Sequence, residues 1–579
     1  MPAAKRSTKK KTAARKPVKK PAAKKAAAKP AARRTPAKKA AVRAKAAAKP
    51  KPRAKPARAA AAPAPKSPVL ARVSLPADPY SAMLEQLREI AILEAVQRTM
   101  SWDQETMMPD KGAALRADQL RTLAGMIHDR RTNPFFGELL AASESNGVAR
   151  SDGAIQANLR EIRRDFDQAT RLPKSLVEEM AEVASLAMEA WKEARKNSDF
   201  KAFLPWLERV VQLNQRKAQC LGIPAGGSEL YDALLDQYEP GMTAARTEQI
   251  FGPLRDRLVP LIRKVADVRT PPSDRPAKAI TPIDLQKKFV TAICERIGFD
   301  FKAGRIDEST HPFCEGIGPG DTRMTNRYRP DGWADALSTA MHESGHALYE
   351  QGLPKDSSFG QPLADAISLG IHESQSRMWE NQIGRSQAFW KWALPEANRI
   401  FGATLMGFGP HDVYAAVNLV KPNLIRVESD ELTYNLHIML RFDLERAMIA
   451  GRLSPRDLPS TWNDRVRRDL GLPVPDDRRG CLQDVHWSMG AMGYFPTYTF
   501  GNLYSAQLWE AMGREMRDRD ERIGKGDFAP ILQWLRTNVH AHGRRYSAED
   551  LCKKVTGKPL SHDALLRHLE HKVTAVYGV

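Results

Sequence analysis

The chain is poor in cysteine, in long apolar runs and, over its first 66 residues, in acid. Its five cysteines, Cys220, Cys294, Cys314, Cys481 and Cys552, are odd in number and scattered. That excludes a disulfide framework and a thiolate metal centre, and leaves buried free thiols as the expected state. No apolar run reaches the length of a membrane span, and no hydrophobic segment of a secretory signal follows the basic start. A cytoplasmic protein without a membrane span is therefore expected. Strand signals are sparse as well, while residues 80–100, 174–197 and 245–268 repeat apolar residues at intervals of three and four, which predicts helices. The main strand candidate is Arg323–Tyr328, whose alternation suits an edge strand able to pair with an extended peptide.

Residues 1–66 hold 24 Lys and Arg, no Asp or Glu, and little besides Ala and Pro. No packed core is available to such a composition, so residues 1–76 are expected to form a disordered tail ahead of a single large domain over 77–579. The net charge of +22 belongs to that tail, because the rest of the chain carries 66 basic against 68 acidic residues. A polycation of this kind binds nucleic acid or other polyanions by counterion release, without reading sequence. A transit peptide or a tether to anionic membrane are the competing readings, and a passive solubilising tail is the plain one.

What the domain does contain is the run Met341–Glu350, MHESGHALYE, with His342, Glu343 and His346 at HExxH spacing. On a helix of about 3.6 residues per turn, positions four apart share a face, so two imidazoles can grip one metal ion. Glu343 between them is placed to take a proton from a water that the metal has acidified. Asp331 and Asp335 offer caps for this helix, and Gly352 with Pro354 ends it. A catalytic site of this type needs a third protein ligand. A third His six residues on is excluded, since Gly352 stands there. Glu350, Asp365, Glu373 and Glu380 remain, and spacing alone does not rank them.

The run Ile371–Arg377, IHESQSR, resembles the HES-x-Q motif of the thermostable carboxypeptidase (Taq) family of metallopeptidases. Asp321, Arg323 and Thr325 are similar to the family's D-x-R-x-T element, His311–Phe313 to its HPF, and Gly480–Trp487, GCLQDVHW, to its G-x-x-Q-D-x-H-W. Trp102, Asp103, Met108 and Pro109 resemble its first helical hairpin, so the resemblance spans roughly residues 78–579. It implies Glu373 as the third ligand and one divalent ion, Zn2+ or alternatively Co2+. It implies a mainly α fold, a large helical two-lobed, saddle-like body with a deep cleft and a minor antiparallel β element, and a homodimer. It also implies a carboxypeptidase of broad specificity acting on peptides with a free C-terminus.

Each remaining role has a physical reason. A free carboxylate is recognised by an Arg fork at a fixed distance from the metal. Arg426, in LIRVESDELTY, is the first candidate by its similarity to the family's anchoring arginine, and Arg323 is the second. For either, an ion pair with Asp321 or Glu428 is the competing reading. The tetrahedral intermediate needs donors opposite the metal. His486 and Tyr498 are expected to supply them, with Tyr494 holding substrate. His437 reads as a satisfied histidine on a buried helix, His311 as serving the site indirectly, Glu350 as a solvated or outer charge, and His372 as pointing away from the metal. An endopeptidase or dipeptidase on the same motif is the nearest rival.

Overall fold

The computed structural model describes residues 75–145 and 152–579. The basic stretch 1–66, and with it the disorder and polyanion binding expected there, lies outside the described residues. Helix α1 (Pro79–Thr106) starts at Asp78, whose carboxylate accepts the Ser81 N–H at 3.1 Å, and Pro79 occupies the first turn, where its missing N–H costs no hydrogen bond. Helix α2 (Ala113–Arg131) folds back on it. The other two stretches with helical periodicity are the helices Lys174–Asn197 and Ala244–Ala266. The described residues fall in one mainly helical unit, Val73–Val579. Its principal core runs from the helix Lys174–Asn197, which contributes Ala187 and Ala194, to the last helix, and a small separate core of Met83, Phe136, Leu139, Leu140, Leu159 and Ile162 holds the first helices.

Three strands make the minor β element. β1 (Gly304–Glu308) lies parallel to β3 (Asp321–Asn326), and β2 (Cys314–Gly318) lies antiparallel to it on the other side. The sheet is therefore mixed, an antiparallel pair with one parallel neighbour. The stretch expected at a sheet edge is β3, and it is central. Bonded on both sides, it has no free edge for a peptide, which corrects that expectation. Alternation reveals a half-buried strand but not its place in a sheet.

Helix α3 (Trp333–Glu350) carries the HExxH run. Its N-cap position is Gly332, without a side-chain cap, and Asp335 pairs with Arg329 at 2.8 Å, so neither Asp331 nor Asp335 acts as the expected cap. Burial anchors the start instead. The Trp333 ring lies 6.4, 5.8 and 5.7 Å from those of Phe289, Trp390 and Phe401, and its Nε1 donates to the Pro276 carbonyl at 3.0 Å. Burying an aromatic this fully contributes roughly 1.5–3 kcal/mol, more than a surface cap does.

Helix α4 (Leu369–Arg377) crosses α3 at Gly345, where a Cβ would stand 2.5 Å from the Gln375 carbonyl oxygen and the Ser376 Cα. A π-helical segment, Met378–Gly384, continues it. Two long helices close the region, α5 (Glu431–Ile449), capped by Asp430, and α6 (Pro496–Glu515).

Glu239 ties α4 and α6 together. Its carboxylate accepts the Gly370 N–H at 3.0 Å and the Tyr504 hydroxyl at 3.1 Å, with no cation beside it. Burial pushes this carboxyl up to about 7. A raised carboxyl makes the folded chain hold a proton that the unfolded chain has already released, so stability is lost as pH rises from the ordinary carboxylate range through about 7. Glu239→Gln should therefore gain stability relative to the parent between pH 5 and pH 8, by roughly 1 kcal/mol or more. Denaturant melts of both chains across that range check this, and parallel stability curves would contradict it.

Candidate active site

α3 and α4 bring His342, His346 and Glu373 together. Among the described residues this is the one group of three His, Cys, Asp or Glu side chains able to hold a metal ion, with ligand atoms all within 4.8 Å of one another. Glu373 Oε2 lies 3.8 Å from His342 Nε2 and 3.4 Å from His346 Nε2. Ligand bonds of about 2.0–2.2 Å in a tetrahedral arrangement put ligand atoms about this far apart. The donor set, two imidazoles and a carboxylate, suits a divalent transition-metal ion. Spacing left Glu350, Asp365, Glu373 and Glu380 open, and the fold brings Glu373 to the histidines.

Each of the three candidate ligands is fixed from behind. Glu373 Oε1 accepts from Arg377 Nε at 2.7 Å, which leaves Oε2 turned to the histidines. His342 Nδ1 lies 2.9 Å from Glu380 Oε2, and Glu380 also accepts from Ser338 at 3.0 Å, Arg385 at 2.9 Å and Arg377 at 3.3 Å. His346 Nδ1 lies 2.6 Å from His372 Nδ1, and His372 Nε2 lies 2.7 Å from Glu350, which pairs in turn with Lys355. A tautomer that leaves His346 Nε2 bare for a metal has its Nδ1–H donating to His372, whose Nε2–H donates to Glu350. His372 was expected to point away from the metal group; it instead backs one of the ligands, because α3 and α4 cross closely enough for its ring to reach His346. Glu350, partly buried between His372 and Lys355, is the outer charge of the two readings and not the solvated one. Such outer partners set ring orientation and ligand basicity.

The charges follow from these contacts. Burial raises the Glu373 and Glu380 carboxyls, yet Arg377 on the first and Arg385 on the second hold both well below the carboxylate range. Burial pushes the His346 imidazole down to about 4, so it is neutral, as a ligand must be. Glu343, only 6% exposed, has no cation bonded to it, and burial lifts its carboxyl to about 7.

Arg377 links this group to the second half of the site. Its guanidinium lies 4.6 Å from the centre of the Tyr434 ring, and the Tyr434 hydroxyl accepts from Arg426 Nη1 at 3.0 Å. Arg426 lies 5.0 Å from the Tyr498 ring centre and donates to Asp484 at 3.0 Å. His486 Nε2 is 3.3 Å from the Tyr498 hydroxyl, and Tyr494 packs on both rings at 5.4 Å. Burial pushes His486 down to about 3, which leaves a neutral ring. Arg426 is thus reached from Glu373 through two side chains, Arg377 and Tyr434, and Tyr498, with His486 and Tyr494 packed on it, adjoins Arg426. The ion pair of Arg426 is with Asp484, not Glu428.

Arg323 is not brought to this group. It sits on the face of β3 opposite Met324, whose sulfur meets Ser344 of α3, and it bonds Asp321 at 2.9 and 2.8 Å while lying 4.4 Å from the Trp102 ring centre. His437 is buried on α5, outside the ligand group, and His311 is exposed. The HPF and D-x-R-x-T elements bond each other, Thr325 N–H to the Phe313 carbonyl at 2.8 Å and Phe313 N–H to Thr325 Oγ1 at 2.9 Å. Tyr434, Arg377 and Asp484 are not singled out by local spacing, and Glu380, a candidate ligand by spacing, bonds His342 Nδ1 from behind instead. All lie inside or just beyond the runs quoted above, but only the crossing of helices assigns them partners.

A family model described as carboxypeptidase Taq (M32) metallopeptidase matches residues 82–573. The chain is 43% identical over 512 residues to thermostable carboxypeptidase 1 of Thermus thermophilus, covering 87% of this chain and 100% of that one. It is 35% identical over 494 residues to carboxypeptidase 1 of Bacillus subtilis, covering 85% and 97%. The crystal structure of the M32 carboxypeptidase from Deinococcus radiodurans superposes with a TM-score of 0.83 at 37% identity, covering 86% of this chain and 100% of that one.

Gly501 of α6 faces Glu373 so closely that a Cβ would stand 2.6 Å from the Glu373 Cβ and nearer still to its Cγ. Gly501→Ala should displace the carboxylate and weaken divalent-metal affinity by about tenfold or more. Chelator competition on the purified chain measures this, and unchanged affinity would show that α6 does not position the ligand.

Proposed function

The chain belongs to the carboxypeptidase Taq (M32) metallopeptidase family and is a metal-dependent peptide hydrolase, and from that premise we propose that it releases single residues from free peptide C-termini, with His342, His346 and Glu373 holding one divalent cation. The observation that carries this reading is the short path Glu373–Arg377–Tyr434–Arg426, which sets a carboxylate-binding fork beside the ligand group. Zn2+ suits two imidazoles and a carboxylate, and Co2+ suits the same set. A cation there polarises the scissile carbonyl and acidifies water.

The protein's own groups do the rest. Glu343, buried beside His342 with no cation bonded to it, takes a proton from the attacking water. The water oxygen adds to the carbonyl carbon, the C–N bond breaks, and Glu343 returns the proton to the leaving amine. His486 and Tyr498 face the charge that develops on the former carbonyl oxygen. Arg426 receives the terminal carboxylate, and Tyr494 holds the substrate backbone. Walls of tyrosine, which offer area without a charge to match, suit broad specificity. Arg323, spent on Asp321 and Trp102, is the weaker candidate for a substrate contact.

Three further features complete the proposal. Ile92 and Val96 of α1, Leu115 and Met126 of α2, and Met107 just after α1 are exposed, apolar surface suited to a second copy in a homodimer. Five free cysteines suit a cytoplasmic setting, and among the described residues no helix is long and apolar enough to cross a membrane. The tail 1–66 binds nucleic acid or other polyanions non-specifically.

Mass spectrometry of peptides with free and amidated C-termini tests the activity. Stepwise loss of single residues from free termini alone is expected, whereas internal cuts would make the enzyme an endopeptidase. Glu343→Gln should keep its metal and lose about 10²–10⁴-fold in kcat. Glu373→Ala should lose the metal in a chelator titration. Arg426→Ala should lower kcat/KM on free C-termini by about 30-fold or more, and an unchanged kcat/KM would remove the anchor assignment.

A further inference from the structure

Asp484 is shared by two buried arginines. Its Oδ1 accepts from Arg426 Nε at 3.0 Å, with Arg426 Nη2 equally near, and its Oδ2 accepts from Arg441 Nε at 2.7 Å and from Arg441 Nη2. Arg426 is 5% exposed and Arg441 is 0% exposed. The Phe495 ring lies between them, 5.6 Å from one guanidinium and 5.2 Å from the other, and the Trp462 ring lies 4.6 Å from Arg441. Arg441 Nη1 donates to the His437 carbonyl at 2.7 Å, and Asp484 is the carboxylate it bonds. Glu445, one turn along α5, spends its oxygens on Tyr231 at 2.8 Å, Trp487 at 2.7 Å and Gly493 at 3.0 Å. His437 and His486, the nearby imidazoles, are neutral because burial pushes both down to about 3.

Two cations on one carboxylate leave an uncompensated positive charge in an apolar wall. Burying charge in this way is costly, and an anion arriving beside it removes much of the cost. An Arg426–Asp484 pair alone would be neutral overall and would attract a carboxylate weakly. We propose that Arg441 is a positioning residue for substrate: by occupying the far oxygen of Asp484 it keeps Arg426 electrostatically unspent, and so determines the preference for a free C-terminal carboxylate. This rests on Arg426 as the carboxylate anchor. Arg441 does not touch the substrate; it acts through Asp484, and Arg426 keeps N–H groups on Nη1 and Nη2 that neither Tyr434 nor Asp484 takes.

The test uses the metal-loaded full chain and two probes, N-acetylphenylalanine and its amide, titrated calorimetrically into the parent, Arg441→Met, Arg441→Lys and Arg426→Ala. Arg441→Met should weaken binding of the acid about tenfold, some 1.4 kcal/mol, and leave the amide unchanged. Arg441→Lys, which keeps the charge, should recover most of the loss, and on peptide substrates the effect should fall on KM and spare kcat. Unchanged acid binding in Arg441→Met overturns the proposal, as does an equal loss for acid and amide, or a Lys variant no better than Met. Arg426→Ala separates the two layers. If it loses the preference for acid while Arg441→Met does not, the anchor stands and the charge coupling falls; if it keeps that preference, the anchor itself is wrong.

Discussion

The two oxygens of Glu373 are spent differently, and the site depends on that division. One is taken by Arg377, and the other is left facing two imidazoles. A carboxylate only 7% exposed would protonate without a cation beside it, and a protonated carboxyl is a poor ligand. Arg377 prevents this and also fixes which oxygen turns inward. The steric frame serves the same end. Gly345 lets α3 and α4 approach, Gly501 lets α6 press on the Glu373 side chain, and Glu239 holds the start of α4.

Around that centre the buried charges differ in how they are balanced. Glu380 gathers two arginines and a histidine, and Glu431 gathers His568 at 2.8 Å and Lys572 at 2.6 Å. Asp484 is over-subscribed by arginine, whereas Glu239 and Glu445 have only neutral donors and are lifted to about 7. Buried ion pairs contribute little net stability, since desolvation offsets attraction. Their value here is geometric, because a guanidinium fork holds a carboxylate in one orientation.

Much of this could be read from residue order alone, for reasons that particular residues make plain. HExxH works through local helical geometry, so His342, Glu343 and His346 share a site wherever the helix goes. Long amphipathic stretches announce helices because burial of one face stabilises them. The failures have a common cause. β3 reads as an edge strand and is central, and His372 reads as turned from the metal group and backs His346, and each of these depends on which element lies alongside. Strand order, sheet face and helix crossing are set by contacts between residues tens to hundreds of positions apart, and local patterns do not carry them.

The sequence by itself determined the chemistry on offer: two imidazoles on one face of a helix with a glutamate between them, a helical body, and a basic stretch with no acid to balance it. Only the tertiary structure decided which carboxylate stands beside the two imidazoles. Four acidic residues follow the motif within reach, and Glu373 differs from the others by where α4 crosses α3, with Arg377 turning one oxygen away. The same holds for Arg426. Its charge is written in the chain, but its counter-ion Asp484, its rival Arg441 and its place beside Tyr434 come from the packing of α5 against the segment that carries His486. Such packing depends on volumes and distances that no local spacing rule encodes.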